Sequence, residues 1–277
     1  MTRWLPALGC LTLHAAFADA TAAPAWTHQL VGDITANQVA LKDWAQGGDN
    51  AFAWGFTLNG TTLRTAGRTD WTTGCKLAFG QNKLGDQAVR KTVDRIEVET
   101  AMTYKLGGYV DPYLKGTFKS QLLRGYKYGE GPRTAVSDLF DPATFTQSTG
   151  AGVRPLEQAK TKVGLALREI VTRDFVSYTD DARTAAVEEV RVDGGLESVT
   201  DVEWNLADNV LVKSKLEVFV PVMEPGDATA GNDAALTVML SQYITLNVSL
   251  EVRRDPTASD DLQLKQTTAL GLRYNLF

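Results

Sequence analysis

Residues 244–254 read "ITLNVSLEVRR", and their alternation decides the fold. Ile244, Leu246, Val248, Leu250 and Val252 take one face; Thr245, Asn247, Ser249, Glu251 and Arg253 take the other. A period of two is the signature of a strand with unlike faces, and the 3.6-residue spacing of a helix is absent from it. The pattern recurs in residues 210–220 ("VLVKSKLEVFV"), 95–106 ("RIEVETAMTYKL"), 70–80 ("DWTTGCKLAFG") and 50–60 ("NAFAWGFTLNG").

Working outward, the alternation predicts twelve strands, over residues 28–43, 50–64, 69–81, 92–106, 110–123, 144–153, 160–173, 186–205, 210–222, 233–240, 244–253 and 262–277. The pattern is weakest in the first, sixth and tenth. Most run to roughly 10–16 residues, against the usual 5–6 of globular strands, and a tilted membrane-crossing strand needs about 9–11. Short turns fall near 65–69, 107–109, 154–159, 205–209 and 241–243. They alternate with longer polar connections near 44–50, 81–91, 124–145, 174–185, 223–233 and 254–261. Short turns on one side and long loops on the other fit an all-β, transmembrane antiparallel β-barrel of about twelve strands with both termini periplasmic.

One face of these strands is almost free of charge, Glu169 being the main exception. The other collects about 14 bases and 8 acids, as a barrel lumen does. The expected lumen-lining set is Lys76, Arg95, Glu97, Glu99, Lys115, Lys119, Lys162, Arg168, Arg191, Glu203, Lys213, Lys215, Glu217, Glu251, Arg253, Lys265 and Arg273. Trp204, Tyr104 and Tyr274 fall at strand ends beside short turns, where an interfacial girdle sits. A soluble sandwich would alternate in the same way, but closure also removes the edges that a chain without disulfides would have to protect.

The first residues, "MTRWLPALGCLTLHAAFADATAAPAW", carry one early positive charge, a short apolar run and small residues at Ala18–Ala22. Residues 1–22 therefore read as a cleaved secretory signal peptide, and 23–277 as one barrel domain. Removing the signal leaves Cys75 as a lone thiol, so no disulfide framework is expected. The net charge is −5 and no basic block is present, which excludes nucleic acid as a partner class.

Only His28 remains beyond the signal, at the periplasmic end of the first strand, where it is a surface histidine. A histidine-based nucleophilic site and a His/Cys metal site are both unsupported, and no cofactor is expected. The inward carboxylates Glu97 with Glu99, and Asp201 with Glu203, read as members of charge networks. Acidic Asp180–Asp181 and Asp260–Asp261 read as loop tips. The 124–145 connection carries Tyr126, Tyr128, Phe140 and Phe145, which fits an inward constriction, an outer binding surface or a self-packed loop.

Two further features carry a resemblance. "LKDWAQGGDNAFAWGFTLNG", with Trp44, Gly47, Gly48 and Asn50, is followed by "KTVDRIEVET" with Lys91 and Asp94, by "FKSQLLRGYKYGEGPRTAVSDLFDPATF", and by "RRDPTASDDLQLKQTTALGLRYNLF". In that order they resemble a family of Gram-negative outer-membrane β-barrels catalogued as a domain of unknown function and common in Bacteroidetes-type bacteria. The resemblance implies location and fold, and carries over no site residues. The last strand also resembles the signal read by the barrel assembly machinery, through Leu270, Leu272, Tyr274, Leu276 and Phe277. Tyr274 lies three residues before Phe277 instead of two, which takes Phe277 off the apolar face.

These readings lead to an integral outer-membrane protein in contact with lipid, with a narrow channel for small polar or anionic solutes as the first expectation. A closed barrel acting structurally or through its outer loops is the second, and an outer-membrane enzyme the third.

Overall fold

The computed structural model describes residues 25–42, 48–128, 132–180, 185–256 and 259–276. The expected signal segment 1–22, Trp44, Gly47, Asp181 and Phe277 lie outside them. Twelve strands close into one antiparallel barrel: β1 (Ala25–Val39), β2 (Ala51–Ala66), β3 (Thr69–Leu84), β4 (Arg90–Tyr104), β5 (Val110–Ser120), β8 (Ala143–Leu156), β9 (Ala159–Val171), β10 (Val190–Ala207), β11 (Val210–Pro221), β12 (Thr229–Met239), β13 (Ile244–Asp255) and β14 (Ser259–Asn275). Two short strands, β6 (Gly125–Lys127) and β7 (Thr134–Ser137), form a separate hairpin in the β5–β8 connection. The barrel closes where β1 meets β14, with Val31 opposite Asn275 and Ala36 opposite Leu270.

The expected boundaries move by up to four residues, in strong strands as well as weak ones. The eighth runs 190–207 instead of 186–205, and the last 259–275 instead of 262–277, which puts Asp260 and Asp261, expected at a loop tip, within β14. The first strand runs 25–39 instead of 28–43, the sixth 143–156 instead of 144–153, and the tenth 229–239 instead of 233–240. In the tenth, small residues occupy both faces ("TAGNDAA"), so no periodicity marks its start.

The barrel is not round. Arg95 on β4 contacts Asp233 on β12, six places away in either direction around the strand order. A circular twelve-stranded barrel of ordinary spacing and tilt is about 25 Å across between backbones. An arginine and an aspartate laid end to end reach only about 13 Å between Cα atoms. The β4–β5 wall is therefore pressed toward the β10–β13 wall, and the sheet turns sharply around β8 and β9. Glycines allow that turn: a Cβ on Gly164 would lie 2.1 Å from the Thr149 carbonyl oxygen and 2.8 Å from the Tyr113 hydroxyl, and one on Gly150 2.2 Å from the Val163 carbonyl oxygen. Because the obstruction is backbone, Gly164→Ala is expected to lower stability by about 2 kcal/mol or more. Denaturant unfolding of the refolded barrel measures this, and an unchanged midpoint would show that the corner tolerates a side chain.

Candidate functional site

Strand register and cross-barrel contacts separate two faces. Outward lie the aliphatic side chains of the middle of each strand, among them Ile34, Leu114, Val163, Leu165, Leu196, Leu264, Leu270 and Leu272, all exposed. Toward the short-turn end the exposed aromatics include Trp26, Trp71, Tyr104, Tyr109, Trp204, Tyr243 and Tyr274; toward the long-loop end they include Phe52, Trp54, Phe56, Phe140 and Phe145. Several outward polar groups bond one another, while Glu169, opposite Phe145, stays on the outward face. Trp71 Nε1 donates to Thr100 Oγ1 at 2.8 Å, the Thr161 and Thr200 hydroxyls lie 3.1 Å apart, and Asn232 Nδ2 donates to Ser214 Oγ at 3.0 Å. His28 pairs with Thr62 Oγ1 and stacks on Trp26 near the short-turn end. Cys75 is exposed on the outward side.

Inward, the charges engage across the interior. Lys215 Nζ reaches Glu97 at 3.1 Å, Glu99 at 2.8 Å and Glu217 at 3.1 Å, tying β11 to β4. Lys119 on β5 contacts Glu217 on β11. Arg95 joins Asp233 at 2.7 Å and Glu251 at 3.0 Å; Arg253 contacts Asp233, and Lys265 joins Glu251 at 3.0 Å. Oxygens of Glu97, Glu99 and Glu217 all lie within 4.8 Å of one another, a spacing that suits a metal ion, but the Lys215 ammonium bonds all three.

Near the short-turn end Lys213 pairs with the exposed Glu203, and Arg273 binds Asp33 at 2.8 Å. Near the long-loop end Arg191 reaches Asp193, Glu224 and Asp227. Arg168 stacks 3.8 Å from the Phe219 ring centroid and donates to Thr229. Lys76, Lys160 and Lys162 form no ion pair among the described residues, nor does Asp201.

The interior divides into a dry and a wet side. Beside β5, β8, β9 and β10, Tyr113, Ser148, Ala166, Val199 and Phe219 are buried, and the pair Lys115–Glu197, 2.9 Å apart, is sealed among them. On the other side the paired groups keep contact with solvent: the side chains of Arg95, Lys215, Glu251 and Lys265 are 23%, 25%, 25% and 39% exposed. An ion pair that stays this wet avoids most of the desolvation cost of the dry one.

Sequence reasoning missed several acids that pair with inward bases: Asp33, Asp233, Asp70 with Lys105, and Glu224 and Asp227 with Arg191. Asp33 and Asp233 sit on β1 and β12, two of the three strands with the weakest alternation, so neither residue had a face until pairing assigned one. With them the inward acids rise by two, and most inward bases are neutralised where they stand.

Residues 36–126 match the model of a family described as "Protein of unknown function (DUF3078)". No curated protein matches the sequence. Among solved structures, the chain is similar to an outer membrane channel from Pseudomonas putida F1, with TM-score 0.41 and 13% identity over 93% of this chain and 97% of that one. It is also similar to the translocator domain of the autotransporter NalP from Neisseria meningitidis (TM-score 0.38, 10% identity, 92% and 90% covered) and to the NanC porin (0.38, 8%, 88% and 97%).

Proposed function

We propose that the chain is an integral outer-membrane barrel offering small polar or anionic solutes a narrow, charge-lined aqueous path. The observation that carries the membrane reading is the inversion of polarity: apolar side chains outside, ion pairs inside, and several of the outward polar groups bonded to one another. Hydrocarbon requires that pairing, because an unpaired polar group there costs several kcal/mol. A lipid-facing Lys or Arg at mid-membrane would cost about 2–4 kcal/mol. In this reading residues 1–22 export the chain, the short turns face the periplasm, and the assembly machinery reads the β14 face of Leu270, Leu272, Tyr274 and Leu276.

The path follows the wet side of the interior, past Lys213 and Glu203, the Lys215 cluster, Arg95, Glu251 and Lys265. Paired charges there cancel locally. What remains around this path is Lys76, Lys160 and Lys162, with Asp201 among them, and this surplus of positive charge favours anions. The sealed Lys115–Glu197 side favours a second reading, a barrel closed by its own ion pairs and serving a structural role.

Planar-bilayer recording separates the two. Refolded protein is expected to give small discrete conductance steps with anion preference, and the double change Lys76→Glu, Lys162→Glu is expected to turn that preference toward cations. An intact barrel without conductance would sink the channel reading in favour of the closed one. Steps whose selectivity ignores the double change would place the path away from these lysines.

A further inference from the structure

The connection between β5 and β8 ends in a tight turn, Asp138–Asp141, whose backbone closes on itself. The Asp138 N–H donates to the Asp141 carbonyl at 2.8 Å, and the Asp141 N–H to the Asp138 carbonyl at 3.0 Å. Its tip presents Leu139 and Phe140, 47% and 52% exposed. Phe140 has φ +57°, a conformation that is costly for an aromatic residue and aims its ring back at the wall. That ring packs 5.8 Å from Phe118, which packs 4.9 Å from Phe145. Phe118 and Phe145 alternate with the inward Lys119, Thr117 and Thr146, so both stand on the outward face. Ala143, also at an outward position, is only 5% exposed beside the turn. The turn therefore lies over the outside of the barrel instead of plugging its interior.

Most of the polar groups at its base are bonded. Gln121 Nε2 donates to the carbonyls of Asp138 and Asp141, and Ser120 Oγ to that of Pro142. Asp138 accepts the Leu139 N–H and pairs with Arg124. Both oxygens of the buried Asp141 carboxylate accept amides, from Arg173 and Asp174 in the next loop. Irregular backbone tolerates an apolar solvent only when its donors and acceptors are satisfied in this way. Between the turn and Val171–Arg173 runs a groove of about 450 Å³, lined by Leu139, Phe140 and Val171 on its apolar part and by Asp138, Asp141, Thr172 and Arg173 on the rest.

We propose that this turn is a lipid-facing flap that seats acyl chains of the outer leaflet against Leu139, Phe140 and Val171. The occupant follows from continuity: the groove opens from the same outward face as Phe118 and Phe145, which rests on the membrane reading above. The test is spin labelling of the full chain in a Cys75→Ser background, refolded into vesicles of phosphatidylethanolamine and phosphatidylglycerol. Nitroxides are placed by Leu139→Cys, by Leu165→Cys on the mid-wall and by Tyr109→Cys in a short turn, with Phe140→Cys as a second flap variant.

Labels at 139 and 140 are expected to collide more with oxygen than with a water-soluble nickel chelate, like the label at 165 and opposite to that at 109. Water-like labels at 139 and 140 beside a lipid-like label at 165 would overturn the flap and leave the barrel in the membrane. A water-like label at 165 would overturn the membrane reading and the flap with it.

Discussion

Lys115→Met is expected to destabilise the folded barrel by about 3–5 kcal/mol, among the largest single effects available in this chain. Lys115 Nζ and Glu197 Oε1 lie 2.9 Å apart with side chains only 1% and 10% exposed, and Val199 and Phe219 are buried on the same side of the interior. Without the ammonium, Glu197 is a buried carboxylate that has lost its ion-pair partner, and its Oε2 already has no hydrogen-bond partner. Glu197→Leu strands the lysine in the same way. Replacing both together removes two desolvated charges at once, and apolar groups of similar volume often do as well as a buried pair. Denaturant midpoints for the two single variants and Lys115→Met with Glu197→Leu give the coupling directly. The double variant is expected to recover most of the loss. Strictly additive losses would show that the two groups do not act as a pair.

How much of this was legible in the sequence depends on what sets each feature. Alternation is local, so strands such as β13, with Ile244 to Val252 on one face, could be placed and given an inside and an outside from the sequence alone. Where both faces carry small residues, as in β12, the pattern vanishes, and Asp233 could not be assigned to the interior. The β6–β7 hairpin is too short to show a period, and the direction taken by Leu139 and Phe140 depends on one unusual φ that no aromatic residue advertises. The cross-barrel partners lay furthest from reach. Alternation places Arg95 inward, but that it meets Asp233 follows from a flattened cross-section, set by the tight β8–β9 corner at Gly150 and Gly164. Interior charge could be counted from the sequence and expected to form networks; which groups pair, and that Asp201 forms no ion pair among the described residues, could not.

Lys215→Met is expected to turn an internally neutralised cluster into a cation site. The ammonium bonds Glu97, Glu99 and Glu217, whose oxygens crowd within 4.8 Å of one another, and among the described residues Lys119 with Glu217 is the one direct ion pair that would remain to them. Three carboxylates that close repel one another strongly. These side chains keep some water, so the loss should fall at the lower end for a broken interior pair, about 3 kcal/mol in a metal-free buffer. Carboxylate oxygens gathered at one point are the ligands a hard divalent cation prefers. Millimolar Ca²⁺ should therefore restore much of the stability of Lys215→Met while leaving the parent chain almost unmoved, since its own lysine already bonds those oxygens. Lys215→Arg, which keeps the charge, should show neither the loss nor the calcium response. In bilayers the same Lys215→Met variant should shift ion preference toward cations, and Ca²⁺ should reduce its current, because the site lies on the wet side of the interior. A calcium response equal in the parent and in Lys215→Met would show that the ion acts elsewhere. An undisturbed midpoint in Lys215→Met would mean that Lys215 is not what holds these three carboxylates together.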